Sequence, residues 1–415
     1  MRAVADQLRV VLDTVSTLAP RVCTLVDAAG CLLAQDAVAT YDLPPFTNSS
    51  MDGYAVRAVD VAAAGPGAPV LLSVVGDLAA GSTPGPGQGL GPGQAMRIMT
   101  GAPLPAGADA VVPQEWTDQG AAQVRIDRPT TAGGYVRDAG SDLAAGATVL
   151  TAGSWLDPRR IGLLAAAGFP AVLVRPRPRV VVLSTGSELH EPGTPLGAGQ
   201  IADSNSAMLL AAATEAGAVV RRLPPVRDDA AELAEVLSGV LADRLAPADL
   251  VITTGGASVG AYDVVRDVLP TLGDVVFGPV AMQPGMPQGF GVIGEDRVPV
   301  FALPGNPVSA YVSFEVFARP AIRRLAARDD LFRPTVRVRL ADEVHAPAAK
   351  TQFLRVRLDH GIARSTGGTG SHLLAGLAAA DALVIVPAGA GRLPAGSVLD
   401  AMVLDGSAPT TPLLP

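Results

Sequence analysis

The chain has little of what would tie it to a membrane, a nucleic acid or an oxidising compartment. Of its 415 residues only two are cysteines. Cys23 and Cys31 flank one short turn and match neither a zinc-ligand spacing nor a disulfide framework, which fits a reducing cytoplasm. No long basic run offsets the formal net charge of -8. A general nucleic-acid or membrane surface is therefore not expected, and any anionic ligand must be met by local groups. No apolar run reaches membrane-spanning length. Residues 1–20 carry Asp6 and Asp13 inside a helical apolar period (Val4, Leu8, Val11, Val15, Leu18) and lack a signal-peptide layout. Lysine is scarce while Ala, Gly and Pro abound, a compositional bias that weakens every argument from residue frequency.

A chain of this length exceeds what one hydrophobic core supports, so two to four domains are expected. After the first helix, residues 41–137 hold brief alternating segments separated by Gly/Pro clusters, which reads as a β-rich module with long loops. Asp157-Pro158 then supplies an N-cap with proline at the first helical position, and Gly168 closes a connecting helix. From Pro178 the pattern becomes strand 179–184, helix 205–216, strand 219–223, helix 230–241 and strand 250–254. It ends with strand 298–303 and a long helix over 308–327, whose Ser309, Val312 and Phe317 cannot all face solvent. That alternation predicts a βαβ domain with a parallel sheet. Beyond Arg333-Pro334, segments 335–340, 353–357 and 382–386 predict a small β-barrel or sandwich, and 407–415 a loose tail. The expected fold class is thus α/β plus β, multidomain. A connector (1–45 with 138–177) carries a β-rich inserted module (46–137), followed by an α/β domain (178–330) and a C-terminal β domain (331–415). There is no internal repeat.

Three loops of the α/β domain share one construction, a strand ending in small or turn-forming residues: Leu183-Ser-Thr-Gly-Ser-Glu-Leu189, Asp249-Leu-Val-Ile-Thr-Thr-Gly-Gly-Ala-Ser-Val-Gly-Ala-Tyr-Asp263 and Leu303-Pro-Gly-Asn-Pro-Val-Ser309. Each alone reads equally well as an ordinary strand-to-helix turn. Together they belong at one edge of the sheet, where ligands of open parallel sheets bind. Gly255, Gly256 and Gly260 let backbone amides approach a phosphate-like group, and Glu188 and Asp263 can reach a hard cation serving it, as magnesium is held by one or two carboxylates plus substrate phosphates. Asp228, in Val226-Arg-Asp-Asp229, also follows a strand end, though alone it reads as a helix cap. In the β-rich module, the loops around Asp52 and Thr100 are dense in hydroxyls and flexible backbone; by themselves they read as turns.

At these residues the sequence resembles the molybdopterin molybdotransferase family, the bacterial relatives of the gephyrin E domain. The landmarks are Asn48-Ser-Ser-Met-Asp-Gly-Tyr-Ala-Val56, Arg97-Ile-Met-Thr-Gly-Ala102, Pro178-Arg-Val-Val-Val-Leu-Ser-Thr-Gly-Ser-Glu-Leu189, Thr253-Thr-Gly-Gly-Ala-Ser-Val-Gly260 and Leu303-Pro-Gly-Asn-Pro-Val-Ser-Ala310. The resemblance covers nearly the whole chain. It implies insertion of molybdate into the dithiolene of adenylylated molybdopterin, with use of Mg2+ and release of AMP. It also implies a C-terminal β-barrel and a cytoplasmic homodimer whose cleft combines the α/β and barrel domains of one protomer with the β-rich module of the other, with a molybdopterin adenylyltransferase as candidate protein partner. Catalytic positions carried over are Asp52, Thr100, Glu188, Asp228 and Asp263, with Glu188 and Asp263 holding the metal. Substrate contacts are expected from Ser184, Gly186, Gly255, Gly256, Ser258, Pro304, Asn306, Pro307, Ser309, Arg355 and Ser371, the last two near molybdate. One departure stands out: where the family commonly has Lys-Pro-Gly-Lys-Pro, this chain reads Gln283-Pro-Gly-Met-Pro287. Two cations are missing from a loop that should face an anion, and Arg266 and Arg355 are the candidates to replace them.

Two rival readings remain. A molybdopterin adenylyltransferase uses the same α/β domain alone, and fold likeness cannot separate the two. A non-catalytic, gephyrin-like scaffold is the other, against which the presence of Asp52, Glu188 and Asp263 argues.

Overall fold

The computed structural model describes residues 1–83, 85, 89–256 and 263–404, arranged as two compact units. One comprises Met1–Arg21, Gly30–Leu32 and the chain from Arg175 onward; the other comprises Val22–Ala29 and Leu33–Val174. The expected tail at 407–415 lies outside the described residues.

In the second unit, short strands form a five-stranded sheet in the order Ala110–Pro113, Gly53–Val56, Gln94–Ile98, Val70–Leu78, Gln123–Ile126. Alternation sends Tyr54, Val56, Ala95 and Val112 to one apolar cluster and Ala55, Met96, Ile98 and Val111 to another, so both faces are covered. The connecting helix Pro158–Ala166 starts as its sequence demands: the Asp157 side chain accepts from the Arg160 amide at 3.0 Å, and Gly168 takes a positive φ of 84° beyond the end.

The first unit is built on a six-stranded sheet in the order Val219–Arg222, Arg179–Ser184, Leu250–Thr254, Val298–Leu303, Pro287–Ile293, Gly273–Pro279. The first four are parallel, as the alternation of elements requires; the last two are antiparallel, so the sheet is mixed rather than purely parallel. The reason is chemical. Residues 273–293 carry glycines at pairing positions, and a Cβ on Gly291 would lie 2.0 Å from the carbonyl oxygen of Asp274. That stretch pairs closely without showing the β-branched signature of a buried strand.

Central strands such as Leu250–Thr254 are buried along their whole length. One sheet face packs Val181, Leu233, Leu237, Val251 and Leu269; the other packs Val11, Leu209, Phe301, Phe314 and Phe317. The second cluster continues into Phe353, Leu383 and Met402 of the C-terminal strands, so these segments share one core. The C-terminal strands close into a five-membered ring: Thr351–Asp359, Ile362–Ser365, Thr335–Leu340, Val398–Val403, Ala382–Val386 and back to Thr351–Asp359. This is the barrel. Strand Met282–Gln283 of the α/β region adds to it in parallel, with Met282 opposite Thr351 and Gln283 opposite Gln352. The long helix expected over 308–327 runs as Pro307–Ser313, a π-helical turn Phe314–Ala318, and Arg319–Leu325. The π turn holds Glu315, 1% exposed, which takes Arg333 in a fork at 2.9 Å on both arms; Arg333 also bonds Glu215 and the Leu404 carbonyl.

Candidate active site

The parallel strands end side by side, and their loops are laced to one another. The Thr185 amide bonds the Thr254 carbonyl at 2.9 Å, and the Gly255 amide bonds the Leu303 carbonyl at 3.2 Å. Asn205 donates to the Thr254 hydroxyl at 3.0 Å and to the Gly305 carbonyl at 2.6 Å, while Thr254 donates to the Pro304 carbonyl at 2.9 Å. A Cβ on Gly255, whose φ is 94°, would lie 2.2 Å from the Thr185 carbonyl oxygen, so only glycine allows the first two loops to meet. These rungs fix the floor of an open cavity of about 1270 Å³ at the carboxyl ends of the strands.

Glu188, Asp228 and Asp263 all line that cavity, as do Gly186, Gly255, Gly256, Pro304, Asn306, Pro307, Ser309 and Ser371. Asp228 is not the helix cap its position suggested. Asp229 caps helix Ala230–Ala242 through the Ala231 and Glu232 amides, which leaves Asp228 to accept from the Ser187 amide at 2.9 Å while its own amide bonds the Ser187 hydroxyl. That reciprocal pair pins the Asp228 loop to the Glu188 loop. The Glu188 carboxylate folds over Gly186, whose Cβ position would lie 2.7 Å from it. Asp263 opens helix Val264–Leu272.

Several expected contacts take other parts. Ser184 is 1% exposed and does not line the cavity; its hydroxyl donates to Asp203 at 2.8 Å. Asp203 itself does line the cavity and caps helix Ser204–Glu215, a role that hid it among ordinary caps in the sequence. The amides of Gly186 and Gly255 are engaged by the Val226 and Leu303 carbonyls, so these glycines contribute room rather than donors. Arg355 is buried, its guanidinium bonded to the carbonyls of Gly368, Gly370 and Leu373. It braces the segment carrying Ser371 and lines a separate small recess beside Gln283 instead of the main cavity; burial pushes its pKa down. Arg266 lies over the Phe277 ring, 6.0 Å from its centroid, and does not reach the cavity either. Ser258 and Gly260 lie outside the described residues.

Polar atoms without partners mark the floor: Thr185 Oγ1 and Asn205 Oδ1 are buried in the cavity wall with no hydrogen bond among the described residues. Such atoms are costly unless a ligand or water completes them. The ionisable groups of the lining are Glu188, Asp203, Asp228 and Asp263 against Lys350 and His372, and no arginine lines it among the described residues. Neither Lys350 nor Asp203 carried a motif in the sequence. No group of three or more His, Cys, Asp or Glu is assembled for a metal among the described residues. Of the four carboxylates in the lining, Glu188 and Asp263 are hard oxygen donors of the kind that suit a cation completed by waters and substrate oxygens.

Asp52 and Thr100 belong to the other unit, where they form a pair of their own. Both are exposed, and the Asp52 carboxylate accepts from the Thr100 amide at 2.7 Å and from its hydroxyl at 2.8 Å. The amide bond, then the hydroxyl bond, hold the Asp52 carboxyl below the usual carboxylate range, and Arg97 acts in the same direction. Asp52 is thus kept ionised.

Compared with known proteins, the chain matches the MoeA N-terminal region (domain I and II) over residues 2–168, a probable molybdopterin binding domain over 181–324 and the MoeA C-terminal region (domain IV) over 337–404. It is 46% identical over 407 residues to molybdopterin molybdenumtransferase 2 of Mycobacterium tuberculosis, covering 96% of this chain and 98% of that one. Identity to the Nostoc molybdopterin molybdenumtransferase is 37%, covering 97% and 94%. Among solved structures, a molybdopterin biosynthesis MoeA protein from Pyrococcus horikosii superposes with a TM-score of 0.72 at 32% identity, covering 97% of this chain and 99% of that one.

Proposed function

The chain belongs to the MoeA family, and on that premise we propose that it is a molybdopterin molybdenumtransferase. It inserts molybdate into the dithiolene of adenylylated molybdopterin, with Mg2+-dependent release of AMP. The observation that carries this reading is the single cavity in which Glu188, Asp228 and Asp263 share a wall with hydroxyl-bearing loops at the ends of parallel strands.

The residues divide the work. Glu188 and Asp263 would hold Mg2+, which when bound supplies Lewis-acid polarisation of the phosphoanhydride. Asp228, fixed by Ser187, keeps the Glu188 loop in place. Ser309 and Ser371 offer hydroxyls to anionic oxygens, and Thr185 and Asn205 offer the partnerless atoms of the floor. The substrate brings its own thiolates, so the protein's task is to position two reactants and exclude competing geometries. Asp52, ionised and exposed, is suited to take or relay a proton.

The working form is a cytoplasmic homodimer in which Asp52 and Thr100 of one protomer serve the cavity of the other. Mixing Asp52→Ala and Asp263→Ala protein, each inactive alone, tests this: subunit exchange should restore activity, and continued inactivity would remove the shared site.

The reaction is tested with purified protein, adenylylated molybdopterin, Mg2+ and molybdate. Molybdate-dependent AMP release with formation of metal-loaded pterin is expected; AMP release without metal-loaded pterin would reject insertion. A second arm supplies unmodified molybdopterin and ATP without molybdate, where accumulation of the adenylylated pterin would favour an adenylyltransferase. No turnover in either arm would favour a scaffold.

A further inference from the structure

Lys350 is the chain's only lysine, and it lies in the wall of the cavity. It makes no ion pair with any described residue. The barrel's pairing with the α/β region decides where it sits. Met282 faces Thr351 and Gln283 faces Gln352 in a parallel ladder, and the Thr351 amide bonds the Ala281 carbonyl at 2.9 Å. Lys350 therefore stands in the bend one residue before the rung at Met282, just ahead of barrel strand Thr351–Asp359, which pairs with the segment entering the Gln283–Pro287 loop. That is the loop whose sequence lacks its two cations, and Gln283 and Met286 both line the cavity. Of the arginines expected there, Arg355 is bonded to three carbonyls beside the loop and Arg266 stacks on Phe277.

Resting on the functional reading above, we propose that Lys350 is an oxyanion-binding residue of this cavity, a cation that stands across the ladder from the 283–287 loop, at the entry to the adjoining barrel strand. Its ligand is a tetrahedral oxyanion, either molybdate or the phosphate group of the adenylylated pterin. A lysine serves such a ligand as a compact point charge on a flexible stem. Among the described residues the remaining ionisable lining groups are acidic apart from exposed His372.

The test measures molybdate binding by equilibrium dialysis and the KM for adenylylated pterin in steady-state AMP release, for Lys350→Ala, Lys350→Arg, and Lys350→Ala combined with Gln283→Lys. Lys350→Ala should weaken one of the two about ten- to a hundredfold, the scale of one charge-assisted hydrogen bond, with kcat little changed. Weakened molybdate binding identifies the metal oxyanion, and a raised pterin KM identifies the phosphate. Lys350→Arg should stay near wild type, and Gln283→Lys should recover most of the loss, since it returns a cation to the loop across the ladder. Unchanged molybdate binding and unchanged pterin KM in Lys350→Ala would overturn the proposal while leaving the enzymatic reading intact. Wild-type protein that binds molybdate through Lys350 yet never releases AMP would do the reverse.

Discussion

Glu315 and Glu188 show the same carboxylate put to opposite uses within one unit of the molecule. Glu315 is 1% exposed, held in the π turn and gripped on both oxygens by Arg333, which also ties in Glu215 and the end of the barrel. Glu188 is exposed in the cavity that Asp228 and Asp263 also line, and neither Glu188 nor Asp228 has an arginine or lysine within ion-pair distance among the described residues. The buried charge is balanced by the protein, so it serves structure. Glu188 and Asp228 are left without a cation among the described residues, in a cavity the protein opens to a ligand. Among the described residues no arginine lines the cavity, whereas Arg333 is spent on Glu315 and Glu215.

The comparison breaks most severely at the buried side. Arg333→Met leaves Glu315 without its fork in an apolar surround and should lower stability by about 3–5 kcal/mol, the usual cost of breaking a buried pair. Thermal melts would show the loss, and protein that still folds should keep its KM values, because the cluster does not line the cavity.

At the cavity the expectation inverts. Asp263→Ala should cut kcat by about a hundredfold or more in protein that still folds, the scale of removing one charge-stabilising group. Full AMP release in that variant would remove the metal-site assignment.

Ser187→Ala removes the hydroxyl half of the reciprocal pair with Asp228 and should slow turnover about tenfold through misplacement of the Glu188 loop.

The smallest effect concerns the other unit. The Thr100 bonds depress the Asp52 pKa, so the carboxylate's contribution is complete above its ordinary value and is lost only as pH falls through the lowered one. Thr100→Val keeps the amide bond but deletes the hydroxyl, and should move the acidic limb of the kcat/KM profile upward towards the ordinary carboxylate range. An acidic limb unmoved by the substitution would separate Asp52 from the rate.

Strands buried on both faces were fully legible: Arg179–Ser184, Leu250–Thr254 and Val298–Leu303 begin and end where the apolar β-branched runs do. The antiparallel pair Gly273–Pro279 and Pro287–Ile293 was not, because the glycines that let it pair closely also read as loop, and Pro270 hid the end of helix Val264–Leu272. At the site, carboxylates that follow strand ends could be picked out by position alone, since strand ends of one sheet gather in space. Which way a side chain turns could not. Ser184 looks down to Asp203, Arg355 turns to its own loop, and Asp203 stood in no motif. Lys350 had no motif at all; only the ladder between Met282–Gln283 and the barrel brings it to the cavity.

The central claim is that Glu188 and Asp263 grip one divalent ion together with a phosphate-bearing ligand. Crystals soaked with Mn2+ and AMP, read by anomalous scattering, address it directly. The account predicts a single manganese peak within coordination distance of both carboxylates, about 2.0–2.4 Å from their oxygens. A peak elsewhere in the cavity, or one touching neither residue, would contradict it.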